Sequence, residues 1–366
     1  MRPTYPLADE LVSIVVPAFN AAATIRESIV SALNQTHRNT EVIVIDDGSV
    51  DQTRDIVASL MRSDARIQYF YQANGGVAAA RNLGIAKAQG DFVATLDADD
   101  LWYPTKLTRQ LERFQSSGPE TALVYAWCCW INEYSDVVGC APPSQLEGNI
   151  LPQMCLGNVI ISCSNALIKR DVLIAAGGFD ETLRSRGGQG CEDWKLYLQI
   201  AERHQVAIVP EYLVGYRVSS GSMSDDFKQM MRSRRLVETE FISAYPELAA
   251  QLARGEAILA RSLALRAIER GRYHSAIELL TNQSHGKLAS GLASLVWLLG
   301  GSTRRLLRRM RKGAPSPTQF LPISHSSLGK SPEITVQDRY DSRTANLGNR
   351  RIEAGRSNTS QTTPKR

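Results

Sequence analysis

The sequence has little that could cross-link a fold. Of its 366 residues only six are cysteine and five are histidine, and neither set shows the spacing of a metal site. No two cysteines form a C-x-x-C pair, and Cys128 and Cys129 are adjacent, which is a poor geometry for a bond between them. These features exclude a zinc-finger layout and a secreted disulfide scaffold. They predict free thiols in a reducing compartment.

Long apolar runs and a leader sequence are missing as well. Leu288–Leu299 is apolar over about 12 residues, whereas a helix that spans a bilayer needs about 20. Met1–Pro6 lacks the apolar core of a signal peptide. A multi-span membrane protein is therefore excluded, and we expect a cytoplasmic protein.

A cluster of basic residues follows this apolar stretch, between residues 304 and 312. Two interpretations stay open. In the first, residues 288–312 form an amphipathic segment that binds an anionic membrane surface, and the protein is peripheral on the inner face of the membrane. In the second, a core-packing helix is followed by a solvated basic tail.

The net charge is small and unevenly distributed. The chain carries +5 overall, but residues 303–366 alone hold 14 Lys or Arg against 4 Asp or Glu. The first 302 residues are therefore net negative, and we expect no nucleic-acid partner. Ser, Pro, Thr, Asn and Gln dominate from residue 313 onward, which predicts a disordered basic tail.

What the chain does contain is a regular alternation of strand and helix patterns. β-Branched runs predict strands at 12–16, 41–45, 67–71 and 92–96, and helical spacing of apolar residues fills the intervals between them. This alternation predicts an α/β fold in which a mostly parallel sheet is flanked by helices. Because the pattern becomes helical from about residue 226, we expect three parts, over 1–225, 226–312 and 313–366.

Acidic residues follow two of the predicted strands, where the carboxyl ends of strands form the ligand crevice of such sheets. Asp97 and Asp99 are two residues apart, so in an extended chain both side chains lie on the same face. Paired carboxylates at a strand end suit Mg²⁺ or Mn²⁺ that is also held by phosphate oxygens. The alternative is an acidic loop or helix cap without a metal.

A second acidic segment, Asp46–Ser49, follows the strand at 41–45. It is either a plain turn, since Asp and Gly are turn residues, or a site where the Asp47 carboxylate accepts hydrogen bonds from a base. Pro17, Phe19 and Asn20 end the neighbouring strand. A flat base would fit between them and Asp47.

These segments, together with others between them, resemble the family-2 glycosyltransferases. The resemblance is carried, in order, by VSIVVPAFN at 12–20, IDDGS at 45–49, NGG at 74–76, ARNLG at 80–84 and LDADD at 96–100, and it continues at 177–181 and 192–194. Each motif is short, but their order and spacing are specific. The resemblance implies a GT-A fold over residues 1–225 and transfer of a sugar from a nucleotide-diphosphate donor, with inversion.

The resemblance also implies a donor site. The nucleobase and ribose would be bound by Pro17, Phe19, Asn20, Asp47, Arg81 and Asp97. Asp99, assisted by Asp97, would hold Mn²⁺ or Mg²⁺. A UDP-sugar is the donor that such a site takes most often, with GDP and dTDP as alternatives.

Two residues further along the chain have implied roles in the reaction. Asp193 matches the catalytic base of the family, although an acid at a helix N-terminus is the plain alternative. Arg217 would clamp the diphosphate, but Ser stands where related sequences often carry His, and a surface loop is the alternative. The acceptor would be a sugar or a lipid-linked molecule, in cell-surface polysaccharide or glycoconjugate assembly.

Two other functions stay open. An apolar strand that ends in D-x-D also begins haloacid-dehalogenase-like phosphatases and phosphotransferases, which would use Asp97 as a nucleophile. Those enzymes usually carry Thr or Val where this chain has Leu101, and they leave Asp47 unexplained. The second rival is a non-catalytic nucleotide-sugar-binding subunit, which would bind the donor without turnover.

Overall fold

The computed structural model describes residues 9–218, residues 226–281 and Phe320. Predictions for the remaining residues lie outside this part of the chain. They include the interfacial segment at 288–312 and, apart from Phe320, the tail from residue 313.

One mixed sheet organises the described residues. Its strands are β1 Val12–Ala18, β2 Thr40–Asp46, β3 Ile67–Tyr71, β4 Phe92–Thr95, β5 Leu101–Trp102, β6 Thr121–Ile131, β7 Val137–Cys140, β8 Leu167–Lys169 and β9 Gln205–Arg217. They lie in the order β3-β2-β1-β4-β8-β6-β9-β5, and β7 pairs with β6 outside this path. The first four are parallel, whereas β8 runs antiparallel between β4 and β6.

Helices cover both faces of the sheet. They are α1 Ile25–Leu33, α2 Thr53–Met61, α3 Val77–Lys87, α4 Lys106–Ser116, α5 Leu151–Leu156, α6 Arg170–Ala175, α7 Thr182–Ser185, α8 Glu192–Arg203, α9 Phe227–Ala244, α10 Ala249–Glu269 and α11 Tyr273–Thr281. None of these helices is long and apolar enough to cross a membrane.

The buried strands form for the reason that their sequence suggests. Every residue of β1, β2 and β4 is buried, which is the condition of a central parallel strand covered by helices on both faces. Successive side chains of a strand point to opposite faces of the sheet, so they belong to two separate apolar clusters. Val15 and Ile43 belong to one cluster, and Ile14 and Val42 belong to the other. The predicted α/β fold, with a sheet flanked by helices, is confirmed.

The prediction of free thiols throughout is wrong for one pair. Cys129 and Cys140 form a disulfide, with their Cα atoms 3.9 Å apart. They are direct cross-strand partners in the β6–β7 hairpin, so the pairing depends on strand register and not on any motif. The other four cysteines are free and buried, namely Cys128, Cys155, Cys163 and Cys191.

The helices after residue 226 pack on the elements that precede them. The guanidinium of Arg234, in α9, lies 4.3 Å from the centre of the Trp194 ring in α8. The same guanidinium donates to the Cys155 carbonyl oxygen of α5 at 3.0 Å. In this way α9 supports the first turn of α8, where the predicted base Asp193 lies.

Close packing between α3 and β1 gives a test of this core. A Cβ atom added at Gly84 would lie 2.2 Å from Val15 Cγ1. We expect Gly84→Ala to lower the free energy of unfolding by about 1–3 kcal/mol, because overpacking outweighs the better helix propensity of alanine. Urea denaturation measures this. Gly118→Ala is the matched control, since its Cβ would meet nothing within 4 Å; equal effects of the two substitutions would contradict the packing.

Candidate active site

The carboxyl ends of β1, β2 and β4 meet at one edge of the sheet. These strands are parallel neighbours, with Ala18 opposite Asp46 and Val15 opposite Thr95. The segments that leave them, at 19–20, 47–49 and 96–100, therefore lie side by side. This edge is where a ligand crevice is expected in an open α/β sheet.

Asp47 is buried and organises the loop between β3 and α3. Its Oδ1 accepts from Gln72 Nε2 at 2.7 Å and from the Gly75 N–H at 2.8 Å. Its Oδ2 accepts from the Gly76 N–H at 2.8 Å. Because a carboxylate oxygen can accept two hydrogen bonds, Oδ2 retains capacity for a further donor.

The segment that follows β1 exposes the aromatic ring of Phe19 near the segment that carries Asp47. Pro17 is buried within β1, whereas the Phe19 side chain is 52% exposed. Asn20 adopts a φ of 49°. Its N–H donates to Ser49 Oγ at 2.9 Å and its Oδ1 accepts from the Val50 N–H at 2.9 Å. These two bonds fix the segment that carries the exposed ring against the segment that carries Asp47.

Arg81 and Asp97 form a partly buried ion pair at the next strand end. Arg81 Nη2 lies 2.6 Å from Asp97 Oδ1, and the guanidinium stands 5.2 Å from the centre of the Phe179 ring. Burial alone would lower the pKa of Arg81, but the Asp97 carboxylate raises it above its usual value. Arg81 Nε is buried without a protein partner.

Asp99 is the candidate metal ligand. Burial, and secondly the charge of Asp97, raise the pKa of Asp99 to about 6. A divalent cation shared by the two carboxylates would remove this repulsion, and carboxylate oxygens are ligands that Mg²⁺ and Mn²⁺ accept. Across the described residues no group of three or more His, Cys, Asp and Glu side chains converges on one point. The pair therefore fits a cation but supplies only part of its coordination shell.

Asp100, which the sequence analysis did not single out, holds the loop that contains Asp97 and Asp99 through its hydrogen bonds. It is fully buried. Its Oδ2 accepts from Ser164 Oγ at 2.5 Å and from Ser162 Oγ at 3.2 Å, and its Oδ1 accepts from the Arg217 N–H at 2.9 Å. Burial raises the pKa of Asp100 well above its usual value, and the charge of Asp99 adds to the effect.

The structure gives Arg217 partners other than the predicted diphosphate. Its guanidinium is buried and donates to the carbonyl oxygens of Asp99 at 2.7 Å and Asn132 at 2.8 Å. It also donates to Glu27 Oε2 at 3.0 Å and Ser135 Oγ at 3.2 Å. All three guanidinium nitrogens are used in these contacts, so Arg217 holds the Asp99–Asp100 turn.

This arrangement predicts a structural phenotype for Arg217→Ala. The Asp99 carbonyl oxygen would lose its donor, and the Asn132 carbonyl oxygen would keep only the Ser135 N–H. We therefore expect the free energy of unfolding to fall by about 1–3 kcal/mol. Urea denaturation in the absence of nucleotide measures the loss. A variant of unchanged stability that fails to bind nucleotide would contradict this role and favour the diphosphate clamp.

Asp193 lies in the first turn of α8, and each of its carboxylate oxygens has one donor. The Trp194 N–H donates to Oδ1 at 2.7 Å, and Asn158 Nδ2 donates to Oδ2 at 2.9 Å. Burial raises the pKa of Asp193 to about 7, although the charge of Arg81 opposes the rise. A carboxylate with a pKa near neutrality can take up and return a proton at physiological pH.

Electrostatic interactions show which predicted residues come together. The charges of Arg81 and Asp97 both act on Asp193, and the same two charges act on Asp99. The Arg81–Asp97 pair therefore interacts with both the candidate metal ligand and the candidate base. The candidate site thus groups the candidate cation ligands Asp97 and Asp99 with the candidate base Asp193.

Sequence comparison agrees with this geometry. Residues 13–175 match the family described as Glycosyl transferase family 2. An uncharacterized glycosyltransferase of Rickettsia conorii is 34% identical over 218 residues, which are 59% of this chain and 34% of that protein. A Bacillus subtilis protein named as a candidate teichuronic acid biosynthesis glycosyltransferase, TuaG, is 45% identical over 103 residues, which are 28% of this chain and 41% of that protein. The match thus spans well under two thirds of either relative.

Two solved structures share the fold. S. aureus TarS, residues 1–349 in complex with UDP-GlcNAc, has a TM-score of 0.55 at 17% identity and covers 75% of this chain and 81% of its own. The mannosyltransferase PcManGT of Pyrobaculum calidifontis, in complex with GDP-Man and Mn²⁺, has a TM-score of 0.51 at 19% identity and covers 82% of this chain and 81% of its own. Both are proteins of the predicted GT-A type of fold.

Proposed function

Because residues 13–175 belong to glycosyl transferase family 2, we propose that this chain transfers a sugar from a nucleotide-diphosphate donor to an acceptor hydroxyl, with inversion at the anomeric carbon. One observation carries the proposal. Asp193, whose pKa is raised to about 7, interacts with the same Arg81–Asp97 pair as Asp99 does. Inversion requires a base and a diphosphate site within reach of one anomeric carbon, since the acceptor attacks from the face opposite the leaving diphosphate.

Asp193 acts as the general base in this proposal. Its carboxylate accepts the proton of the acceptor hydroxyl while that oxygen bonds to the anomeric carbon. The bond from the anomeric carbon to the diphosphate oxygen breaks in the same step, and the diphosphate leaves with the electron pair. Proton removal by a positioned carboxylate accounts for about 10²–10⁴ in rate.

The donor end is assigned to the sheet edge at β1, β2 and β4. Pro17, Phe19 and Asn20 flank the base, Asp47 Oδ2 accepts from the base or ribose, and Arg81 with Asp97 lies at the ribose. Asp99, with Asp97, would hold Mn²⁺ or Mg²⁺, and such an ion would neutralise charge that develops on the leaving diphosphate. Ligands missing from the protein would come from the donor's phosphate oxygens.

UDP-sugars are our first choice of donor, followed by GDP- and dTDP-sugars. Proteins of this fold hold UDP-GlcNAc and GDP-Man, so both uracil and guanine are tested below. TuaG's name points to teichuronic acid, which supports an acceptor in cell-surface polysaccharide assembly. We propose a sugar or lipid-linked acceptor at the cytoplasmic side, with attachment to the inner face of the membrane through residues 288–312.

The three-part organisation stays part of the proposal, with a GT-A domain over 1–225, a helical region over 226–312 and a basic tail over 313–366. Contacts of α9 with Trp194 and α5 support a close association of the helical region with the transferase domain.

Isothermal titration calorimetry tests the donor assignment. Wild-type protein is titrated with UDP, GDP, dTDP and CDP, each with and without Mn²⁺. The proposal predicts binding of one nucleotide that strengthens when Mn²⁺ is present. Binding of none of the four in the presence of Mn²⁺ would remove the support for a nucleotide-sugar transferase. The haloacid-dehalogenase-like phosphatase would then be tested by trapping Asp97 with a metallofluoride.

A further inference from the structure

We propose that Asn158 is a positioning residue for the general base: its side-chain amide orients the Asp193 carboxylate toward the acceptor and holds it in the ionised form. The inference rests on the proposed function, because it assigns a role within the same reaction. Asn158 lies in the chain segment that joins α5 to β8 and belongs to none of the motifs that carry the family resemblance.

The contact between the two side chains is direct. Asn158 Nδ2 donates to Asp193 Oδ2 at 2.9 Å, while the Trp194 N–H donates to Oδ1 at 2.7 Å. One bond at each oxygen fixes the plane of the carboxylate. Both donors also favour the charged form, because an ionised carboxylate accepts hydrogen bonds more strongly than a neutral one.

The orientation of the Asn158 amide is determined by its own backbone. Its Oδ1 accepts from the N–H groups of Ile160 at 3.1 Å and Ile161 at 3.2 Å. The oxygen end of the amide is therefore committed to this turn, and the NH₂ end must face Asp193. Ile161 has a φ of 77°, a left-handed conformation that is rare for a β-branched residue and marks a turn that the surrounding structure enforces.

The same segment also fixes the metal-binding loop. Ser162 and Ser164 donate to Asp100, and Ser164 Oγ accepts from the Asp97 N–H at 3.0 Å. Residues 158–164 thus contact the base at one end and the Asp97–Asp100 loop at the other. Asn158 couples the position of the base to the place where the donor diphosphate is assigned.

Several titratable groups surround Asp193, and the test must separate the amide from them. Arg81 of α3 favours the ionised form, whereas Glu192 at the start of α8 and Asp97 after β4 oppose it. Three further groups, each with a raised pKa, interact with Asp193, namely Cys163, Cys191 and Tyr197. Substitution of Asn158 leaves all six in place.

Two substitutions of Asn158 separate its effect on the Asp193 carboxylate from its effect on the turn that follows it. Asn158→Asp keeps a side-chain oxygen for the Ile160 and Ile161 N–H groups, because Asp forms the same turn, but it removes the donor and adds a negative charge beside Asp193. Asn158→Ala removes both the turn bonds and the donor. Asn39→Ala is the matched control, since Asn39 Nδ2 donates to the Asp9 carbonyl oxygen at 2.7 Å and Asn39 precedes β2, at the other end of that strand from the site.

The experiment follows Asp193 itself and turnover separately. The Asp193 carboxyl is titrated by ¹³C NMR in the full chain, and its resonance is assigned by its loss in Asp193→Asn. Nucleoside diphosphate release from UDP-GlcNAc, or from GDP-Man if GDP is the nucleotide that binds, gives turnover as a function of pH. Thermal melting and nucleotide calorimetry confirm that each variant folds and binds.

We expect the titration midpoint of Asp193 to rise by about one pH unit in Asn158→Ala and further in Asn158→Asp. Turnover at pH 7 then falls by about 10- to 100-fold with unchanged nucleotide affinity, and Asn39→Ala matches the wild type. If Asn158→Asp titrates and turns over as the wild type does while Asn158→Ala is impaired, Asn158 only supports the turn and the inference is overturned. If the wild type releases no nucleoside diphosphate while the titration midpoint of Asp193 still shifts in the variants, the proposed function and the catalytic role are overturned. The contact between Asn158 and Asp193 would stand.

Discussion

Asp193→Asn is expected to reduce sugar transfer by about 10³-fold while nucleotide affinity stays within about twofold of the wild type. The substitution keeps the shape of the side chain, but its single acceptor oxygen can keep only one of the two hydrogen bonds, from Trp194 or from Asn158. An amide also cannot take the acceptor proton. The loss therefore falls on kcat. Nucleoside diphosphate release at saturating donor, together with calorimetry of the same preparations, measures the two quantities.

The pH dependence of the wild type gives the same assignment by a different route. The pKa of Asp193 is raised to about 7, and only the ionised form can act as a base. Turnover should therefore fall about tenfold for each pH unit below about 7, and Asp193→Asn should lack this limb. Equal turnover of wild type and Asp193→Asn at every pH would contradict the assignment and favour a protein that binds the donor without using this base.

Asp99→Ala is expected to abolish the metal-dependent part of nucleotide binding, a loss on the order of 100-fold in affinity at saturating Mn²⁺. The proposal assigns the cation to the carboxylates of Asp97 and Asp99, so removal of one leaves a single ligand from the protein. Calorimetry with the nucleotide selected in the wild-type screen, in the presence and absence of Mn²⁺, separates the two parts. Without Mn²⁺ the variant and the wild type should bind alike.

Asp55→Ala is the matched control, since Asp55 lies exposed on α2 in the first turn of that helix. It removes one negative charge without touching the crevice and should bind as the wild type does. An Asp99→Ala variant that retains the full effect of Mn²⁺ would contradict the assignment of Asp99 as a metal ligand.

Strand-end residues are the part of the site that the sequence predicts well. A buried parallel strand is a continuous apolar run, so its end is visible as the first polar residues after the run, and Asp47 and Asp97 are found in this way. Parallel register between neighbours then brings such ends together. The local sequence pattern therefore predicts both the strand and the residue at which it ends.

Residues that act through contacts distant in sequence leave no such pattern. Asn158 lies 35 positions from Asp193, and Ser164 lies 64 positions from Asp100. A lone Asn or Ser in a connecting segment reads as an ordinary turn residue. The disulfide between Cys129 and Cys140 was missed for a related reason, since strand register in a hairpin and not spacing brings the two sulfurs together.

Arg217 has contacts that its sequence context does not predict. It lies at the end of β9, beside the Asp99–Asp100 turn. Its neighbours in space decide what it does there. Acceptors from Glu27, Asn132 and Asp99 surround the guanidinium, and none of these three could be paired with it from the sequence.

Stereochemistry of the first product tests the central claim most directly. Proton NMR follows the sugar released by wild-type protein from an α-linked donor, UDP-GlcNAc or GDP-Man according to the nucleotide that binds, before mutarotation equilibrates the anomers. Single displacement opposite the leaving diphosphate, with Asp193 as the base, predicts that the β-anomer forms first. An initial α-anomer would contradict the single-displacement account.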